Sequence, residues 1–473
     1  MVDQQKTSRE YLIEGNTLLE NKDVYGAIAC YQRSTQLEPS LPETHHNLGE
    51  AFSQLERWEE AISSYQRAVQ LNPDLAITYQ RLADILDKLQ QWEAAIQAYQ
   101  TSFDLQPDSF QACHKLAQLL LQQGQTQRAI DYYLIAIKLQ PFFQWSYWNL
   151  WNILAQNHRL QEAVDLYRIA LENYPDSPLV ELNLGDALTR QGKLSQAISC
   201  YERSSYKKLQ QIAPETVEKF WDIEQRLMPQ FIIIGVQKGG TTSLYRYLSE
   251  HPQVVPAIKK EIHFWNHHYK RGLDWYLSHF PKLSTDQQLF ITGEASPNYF
   301  EDVTVAERIY QAFPQMKLIL LLRNPVDRAV SQYYHWMRLG TEKNTLEAAI
   351  ETEMELLGDY PQSTTLNSAY WQLSSKYLWR GIYGVFLKQW LDIFPREQLL
   401  ILSSEEFYQH PQSILEQVFE FLGLSPYVLP EYHVYNQGFY QPMPEAVRGK
   451  LTDYFAPHNQ DLAELLGFHL NWS

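Results

Sequence analysis

Three residue registers run through the first half of the chain at an unvarying step of 34. Ala27, Ala61, Ala95, Ala129, Ala163 and Ala197 form one, and Tyr31, Tyr65, Tyr99, Tyr133, Tyr167 and Tyr201 another. Pro39, Pro73, Pro107, Pro141 and Pro175 form the third. A fixed period of this length means one supersecondary unit, stacked because a single copy cannot bury its apolar face. The residue types say which unit. Alanine lets two antiparallel helices approach. The tyrosine four residues on lies on the same helix face and fills the gap between neighbouring hairpins, and proline ends the second helix. Leu48-Gly49, Leu82-Ala83, Leu116-Ala117 and Leu184-Gly185 mark the first helix of four units, so six hairpins are predicted across residues 8–206.

This spacing resembles the tetratricopeptide (TPR) repeat. Such a solenoid has a concave groove and no chemistry of its own, so it implies either a protein or peptide partner, or a rigid spacer or dimer surface. The fifth repeat breaks the pattern with Phe142, Phe143, Trp145, Trp148 and Trp151. By analogy with TPR proteins, Trp145 and Trp148 fall on the groove side, where aromatics make binding hot spots; packing against the next repeat or the second domain is the other reading. Residues 207–229 read as a capping or linker helix that starts after Pro214 and ends near Pro229. The expected organisation is a TPR array over 1–206, this linker, and a second domain over 230–473.

Charge and composition narrow the partners. The chain carries a formal charge of −16, with 25 acids against 16 bases in residues 1–206 and 30 against 23 in the rest. Neither half is basic, so nucleic acid is a poor partner, and any anion site must be a local arrangement. The N-terminus lacks the pattern of a secretory signal. No apolar run nears the roughly 20 residues that span a bilayer. Cys30, Cys113 and Cys200, odd in number and without a CxxC, fit a reducing compartment, and a cytoplasmic location is expected.

At Phe231 the helical period stops. Phe231–Gly235 reads as a buried parallel strand, Val236-Gln237-Lys238-Gly239-Gly240-Thr241-Thr242 as a Gly-rich loop, and Ser243–Leu248 as a helix. Strand, glycine loop and helix is a geometry for holding a phosphate: the backbone comes close, N–H groups point at oxygens, and the helix N-terminus adds positive charge. The loop is not a Walker A motif, because the lysine precedes the glycine pair. This argues against a nucleotide kinase. A second buried strand, Lys317–Leu322, ends in Arg323-Asn324-Pro325 and a helix carrying Ser331. Arg323, at the carboxyl end of that strand, and Ser331 could grip a second phosphate, although Arg323 could instead pair with Asp327.

The segments IIIGVQKGGTTSLYRYLSEHPQV and LILLLRNPVDRAVSQYYH resemble the 5′-phosphosulfate loop and 3′-phosphate motif of the sulfotransferases that use 3′-phosphoadenosine-5′-phosphosulfate (PAPS). KEIHFW at 260–265, GLDWYLSHFP at 272–281 and GEASPNYF at 293–300 resemble the heparan sulfate glucosaminyl 3-O- and N-sulfotransferase branch, over about residues 230–473. The resemblance implies an α/β, P-loop-like domain with a central parallel sheet behind an all-α superhelix. It implies that PAPS is bound by Lys238, Gly239, Gly240, Thr241, Thr242 and Ser243 at one end and by Arg323 and Ser331 at the other. It makes Lys238 the stabiliser of the leaving oxygen and Glu261 the general base, a role worth typically ~10²–10⁴ in rate. His263, which shares the face of Glu261 if the stretch is extended, is the auxiliary. The alternative is that Glu261 merely pairs with Lys259 or Lys260. Relatives carry a lysine where Ala295 stands, which weakens any transfer of acceptor specificity. Glu294 is a second carboxylate without an assigned role. His263, His267 and His268 come without HExxH or CxxC, and no metal is expected. The acceptor is a hydroxyl or amine, with a carbohydrate favoured and a peptide tyrosine or a small hydroxylated metabolite left open. The competing reading is a TPR scaffold with a degenerate PAPS-binding domain.

Overall fold

The computed structural model describes residues 6–140, 149–150, 153–154, 159–284, 290–358, 377–433, 435, 443–470 and 472. They fall into two compact units, Met1–Lys193 and Leu194–Ser473.

In the first unit the 34-residue period becomes helical hairpins. Ser8–Glu20 pairs with Val24–Leu37, Pro42–Gln54 with Trp58–Leu71, Ala76–Lys88 with Trp92–Leu105, and Phe110–Gln122 with Thr126–Leu139. Leu160–Asn173 and Pro178–Arg190 continue the series. The periodic alanines are fully buried, as close helix contact requires. The tyrosines are buried with them. A Cβ on Gly15 would stand 2.5 Å from Tyr31 Cε1, and one on Gly49 2.6 Å from Tyr65 Cε1. The Tyr31 hydroxyl donates to Asn16 Oδ1 at 2.9 Å. These two rings therefore close the inside of their own hairpins, in the room a small residue leaves on the first helix, while the Tyr133 hydroxyl reaches Asn149 of the following repeat. The joints repeat as well: Lys22, Glu56, Gln90, Gly124 and Gly192 are left-handed, with φ between 57° and 75°. The conformation costs a non-glycine residue ~1 kcal/mol or more, and the tight turn between packed helices imposes it. The aromatics Phe142, Phe143, Trp145, Trp148 and Trp151 lie outside the described residues.

The second unit opens with the helix Leu194–Ile212, which runs unbroken through the expected 206/207 boundary. On it, Tyr201 lies against His279 with the rings tilted and their centroids 4.2 Å apart, and meets Trp275 edge-on at 5.9 Å. Lys208 Nζ donates to the Ala257 carbonyl at 2.8 Å. The expected helix from Pro214 to Pro229 ends at Phe220. Beyond it Asp222 N bonds Lys282 O at 3.2 Å and Leu227 N bonds Pro281 O at 3.1 Å, so segment 281–282 takes donors a longer helix would use.

The sheet has four strands, β1 (Pro229–Gly235), β2 (Thr292–Ala295), β3 (Lys317–Leu322) and β4 (Leu399–Ser403), all parallel in the order β2-β1-β3-β4. β1 and β3 are buried on both faces, as a parallel sheet covered by helices should be. Phe231, Ile233, Ile319 and Leu321 pack with Leu244 of the helix Thr241–Glu250 and Leu415 of the helix Pro411–Leu422. The chain leaves β1 toward β2 on one side and β3 toward β4 on the other. The carboxyl ends of β1 and β3 thus flank the switch point, where open α/β sheets bind ligands. Among the described residues no helix is long and apolar enough to cross a membrane.

Candidate active site

The loop after β1 is shaped by backbone contacts. Gly239 N bonds Val236 O at 2.9 Å, and a Cβ on Gly239 would stand 2.6 Å from the Leu321 carbonyl oxygen on β3. Lys238 (φ 72°) and Gly240 (φ 96°) are both left-handed, which folds the loop into the N-terminus of Thr241–Glu250. The first N–H groups of that helix, including those of Thr241, Thr242 and Ser243, have no intrahelical acceptor and no side-chain cap. Thr242 is half-buried and Thr241 buried. Ser243 is fully buried, and its Oγ accepts the Tyr435 backbone N–H at 3.2 Å, so that hydroxyl serves the fold.

Side chains from elsewhere brace the loop. Arg323 Nη1 donates to Lys238 O at 2.9 Å, Ser404 Oγ donates to Gly239 O, and Arg380 bonds both Gln237 and, at 2.9 Å, Glu301. Arg323 makes this bond in place of the ion pair with Asp327, whose partner is Arg448 at 2.9 Å. Ser331 is buried on the helix Pro325–Arg338. His335 and Arg338 follow it at four and seven residues, on one helix face.

The electrostatics show what converges here. Burial lowers Lys238 to about 8, with Arg338, Arg328 and Arg323 adding to the effect and Glu261 opposing it. Burial, Lys238 and Arg338 lower His335 to about 4, again against Glu261. Arg323 is bonded to the Lys238 loop, and Glu261 lies near enough for its charge to act on Lys238. The helix face carrying His335 and Arg338 is turned to it. Sequence reasoning missed these last two, because a histidine and an arginine past Ser331 acquire meaning only once that helix face is aimed. An excess of positive charge around a half-buried lysine favours an anionic ligand.

Glu261 lies in the non-helical stretch after Lys260, its side chain 44% exposed. Burial pushes its carboxyl up, but bonds from His263 and Lys260 outweigh this and hold it at about 2, ionised at neutral pH. Lys260 Nζ lies 2.8 Å from Oε1 and His263 Nε2 3.4 Å from Oε2. The stretch is not extended through His263. That residue is left-handed at φ 54°, and a π-helical turn, Phe264–His268, follows. The bend, and not a shared strand face, brings the imidazole to Glu261.

On β2, Glu294 is fully buried. Ala295 is fully buried in the cluster that includes Ile233 and Leu244. Among the described residues no group of three or more His, Cys, Asp or Glu side chains is placed to hold a metal ion.

A cationic loop at the switch point of a parallel sheet defines an α/β domain suited to an anionic ligand. Comparison with known proteins makes this specific. Residues 228–433 match the sulfotransferase domain, and residues 15–56, 40–108, 81–142 and 151–208 match tetratricopeptide repeats. The chain is 34% identical over 276 residues to mouse (Mus musculus) heparan sulfate glucosamine 3-O-sulfotransferase 5, covering 53% of this chain and 75% of that one. It is 28% identical over 313 residues to the membrane-associated sulfotransferase kil1 of Dictyostelium discoideum, covering 52% of this chain and 66% of that one. A solved sulfotransferase from Alicyclobacillus acidocaldarius is 30% identical, with 51% of this chain and 97% of that one covered at a TM-score of 0.43. The chain belongs to the sulfotransferase family, with tetratricopeptide repeats ahead of its sulfotransferase domain.

Proposed function

We propose that the chain transfers the sulfuryl group of PAPS to a hydroxyl or amine, on a glycan acceptor, with Glu261 as general base. The carrying observation is the convergence of Lys238, Arg323 and Glu261, joined by the Arg323–Lys238 bond and the field of Glu261 on Lys238. The acceptor lone pair attacks sulfur in line, its proton passes to the Glu261 carboxylate, and the bond from sulfur to the phosphate oxygen breaks. Lys238 neutralises the charge left on that oxygen, and Arg323 with the Ser331 helix face holds the 3′-phosphate. His263 orients Glu261. A glycan acceptor is favoured because the mouse relative is named for heparan sulfate glucosamine. The repeats recruit a protein or the acceptor, and three cysteines that form no disulfide fit a cytoplasmic setting.

Transfer of label from sulfur-labelled PAPS to a glycan pool tests the reading. Glu261→Gln is expected to lower kcat by ~10²–10⁴, and Lys238→Ala to lower both kcat and donor affinity. Failure of the wild-type chain to bind the 3′,5′-bisphosphate in a calorimeter would sink it. Ala295 supports the second reading, a scaffold with a degenerate donor site: bisphosphate binding with no turnover on any acceptor would favour that one.

A further inference from the structure

Glu294 takes no part in the reaction above, yet it is a carboxyl with 0% exposure, a costly placement unless its neighbours use it. Its Oε2 accepts the Ser296 hydroxyl at 2.7 Å, and its Oε1 the Tyr299 hydroxyl at 3.2 Å. Each hydroxyl has a second bond. Ser296 Oγ accepts the backbone N–H of His263 at 3.4 Å, and the Tyr299 oxygen accepts that of Trp265 at 3.5 Å. Those two N–H groups bracket the left-handed bend that carries His263 to Glu261. A hydroxyl whose proton is drawn to a carboxylate presents its lone pairs outward, so the carboxylate sets both hydroxyls as acceptors. A left-handed histidine is strained by ~1 kcal/mol or more and persists only where its surroundings hold it.

We propose that Glu294 is a positioning residue whose carboxylate, acting through Ser296 and Tyr299, holds the His263 bend and so sets the Glu261–His263 pair. Its kinetic consequence rests on the sulfotransfer reading, whereas its structural consequence does not. The titratable groups facing Glu294 are His263, Tyr245, Tyr276 and Tyr299; burial pushes all three tyrosines up, so none of them ionises near neutrality. Burial also raises Glu294 to about 7, with the nearby hydroxyls and His263 working the other way. Below that value the carboxyl carries its own proton, becomes a donor on one oxygen, and frees one hydroxyl to turn.

The full chain, PAPS, de-sulfated heparan sulfate as acceptor, and the 3′,5′-bisphosphate as binding probe provide the test. In Glu294→Gln, kcat at neutral pH is expected to fall about tenfold or more while bisphosphate Kd stays within about twofold, and the acid limb of kcat near 7 flattens. Amide exchange at His263 and Trp265 is expected to quicken about tenfold or more. Ser296→Ala and Tyr299→Phe each reproduce part of the effect, and they decide the matter if Glu294→Gln does not fold. Wild-type kcat, pH profile and exchange in these variants would overturn the proposal. So would a parallel loss of donor affinity and kcat, which marks a general structural fault. If the wild-type chain neither binds the bisphosphate nor turns over, the sulfotransfer reading fails, and the exchange measurement alone decides the role of Glu294.

Discussion

Arg323 Nη1 donates to the carbonyl oxygen of Lys238 at 2.9 Å, so the end of β3 holds the loop at the end of β1. Tyr383 anchors the arginine in turn, donating to its carbonyl oxygen at 2.8 Å. A guanidinium has five N–H donors, and one bond to the loop leaves others for an anion. The two candidate anion-binding segments are therefore joined by a direct bond.

Arg323→Lys keeps the charge and loses the fork. Affinity for the 3′,5′-bisphosphate is expected to weaken about ten- to a hundredfold, the scale of ~1.5–3 kcal/mol for a charge-assisted bond. Titration calorimetry reads this directly, and unchanged affinity contradicts the double role.

Gly239→Ala places a Cβ 2.6 Å from Leu321 O and 3.0 Å from Val236 O, both backbone atoms that cannot yield without moving the loop. A stability loss of ~1–3 kcal/mol is expected, with weaker donor binding. Gly449→Ala is the control. It sits inside the helix Glu445–Leu466 with nothing within 4 Å of its added Cβ, and is expected to stabilise by ~0.5–1 kcal/mol. Thermal melts of the two variants should move in opposite directions.

Lys238, lowered to about 8, is half-protonated near that pH. A bound anion offsets the surrounding guanidinium charge and raises it again. Bisphosphate binding near pH 8 is therefore expected to take up protons, and affinity to fall as pH rises through about 8. Calorimetry in buffers of different ionisation enthalpy measures the uptake, which Lys238→Gln should abolish.

Glu294 gives a stability signature of opposite sign to an ordinary carboxylate. Its folded value, about 7, lies above the usual 4.5, so the folded chain binds the extra proton in between. The contribution is full below the unfolded value and is lost as pH rises through about 7, at most ~3 kcal/mol in all. Urea melts across that window should show the decline in wild type and a flatter profile in Glu294→Gln.

Much of the site was legible because it rides on regular elements. The apolar run Lys317–Leu322 matches β3 end for end, and the glycine pair after β1 announced the loop. Arg323 followed from its place at a strand end. What stayed hidden depends on bends and on distant neighbours. His263 reaches Glu261 only because its backbone turns left-handed, which a histidine does not advertise. Glu294 reads as one more acid until β2 buries it beside Ser296 and Tyr299. His335 and Arg338 needed the helix face to be aimed. In the repeats, Lys22, Glu56 and Gln90 mark the joints as surely as Gly124 does, yet only the glycine signals it.

Tyr201 keeps the sixth beat of the repeat, yet its ring packs against His279, in the compact unit that carries the transferase site. Swapping the helical array for another by cutting after residue 206 would tear a plug out of the catalytic half and leave His279 and Trp275 bare. A cut between Lys193 and Leu194 spares them. The usable seam for grafting foreign arrays onto this transferase thus falls one helix earlier than the rhythm of the sequence marks it.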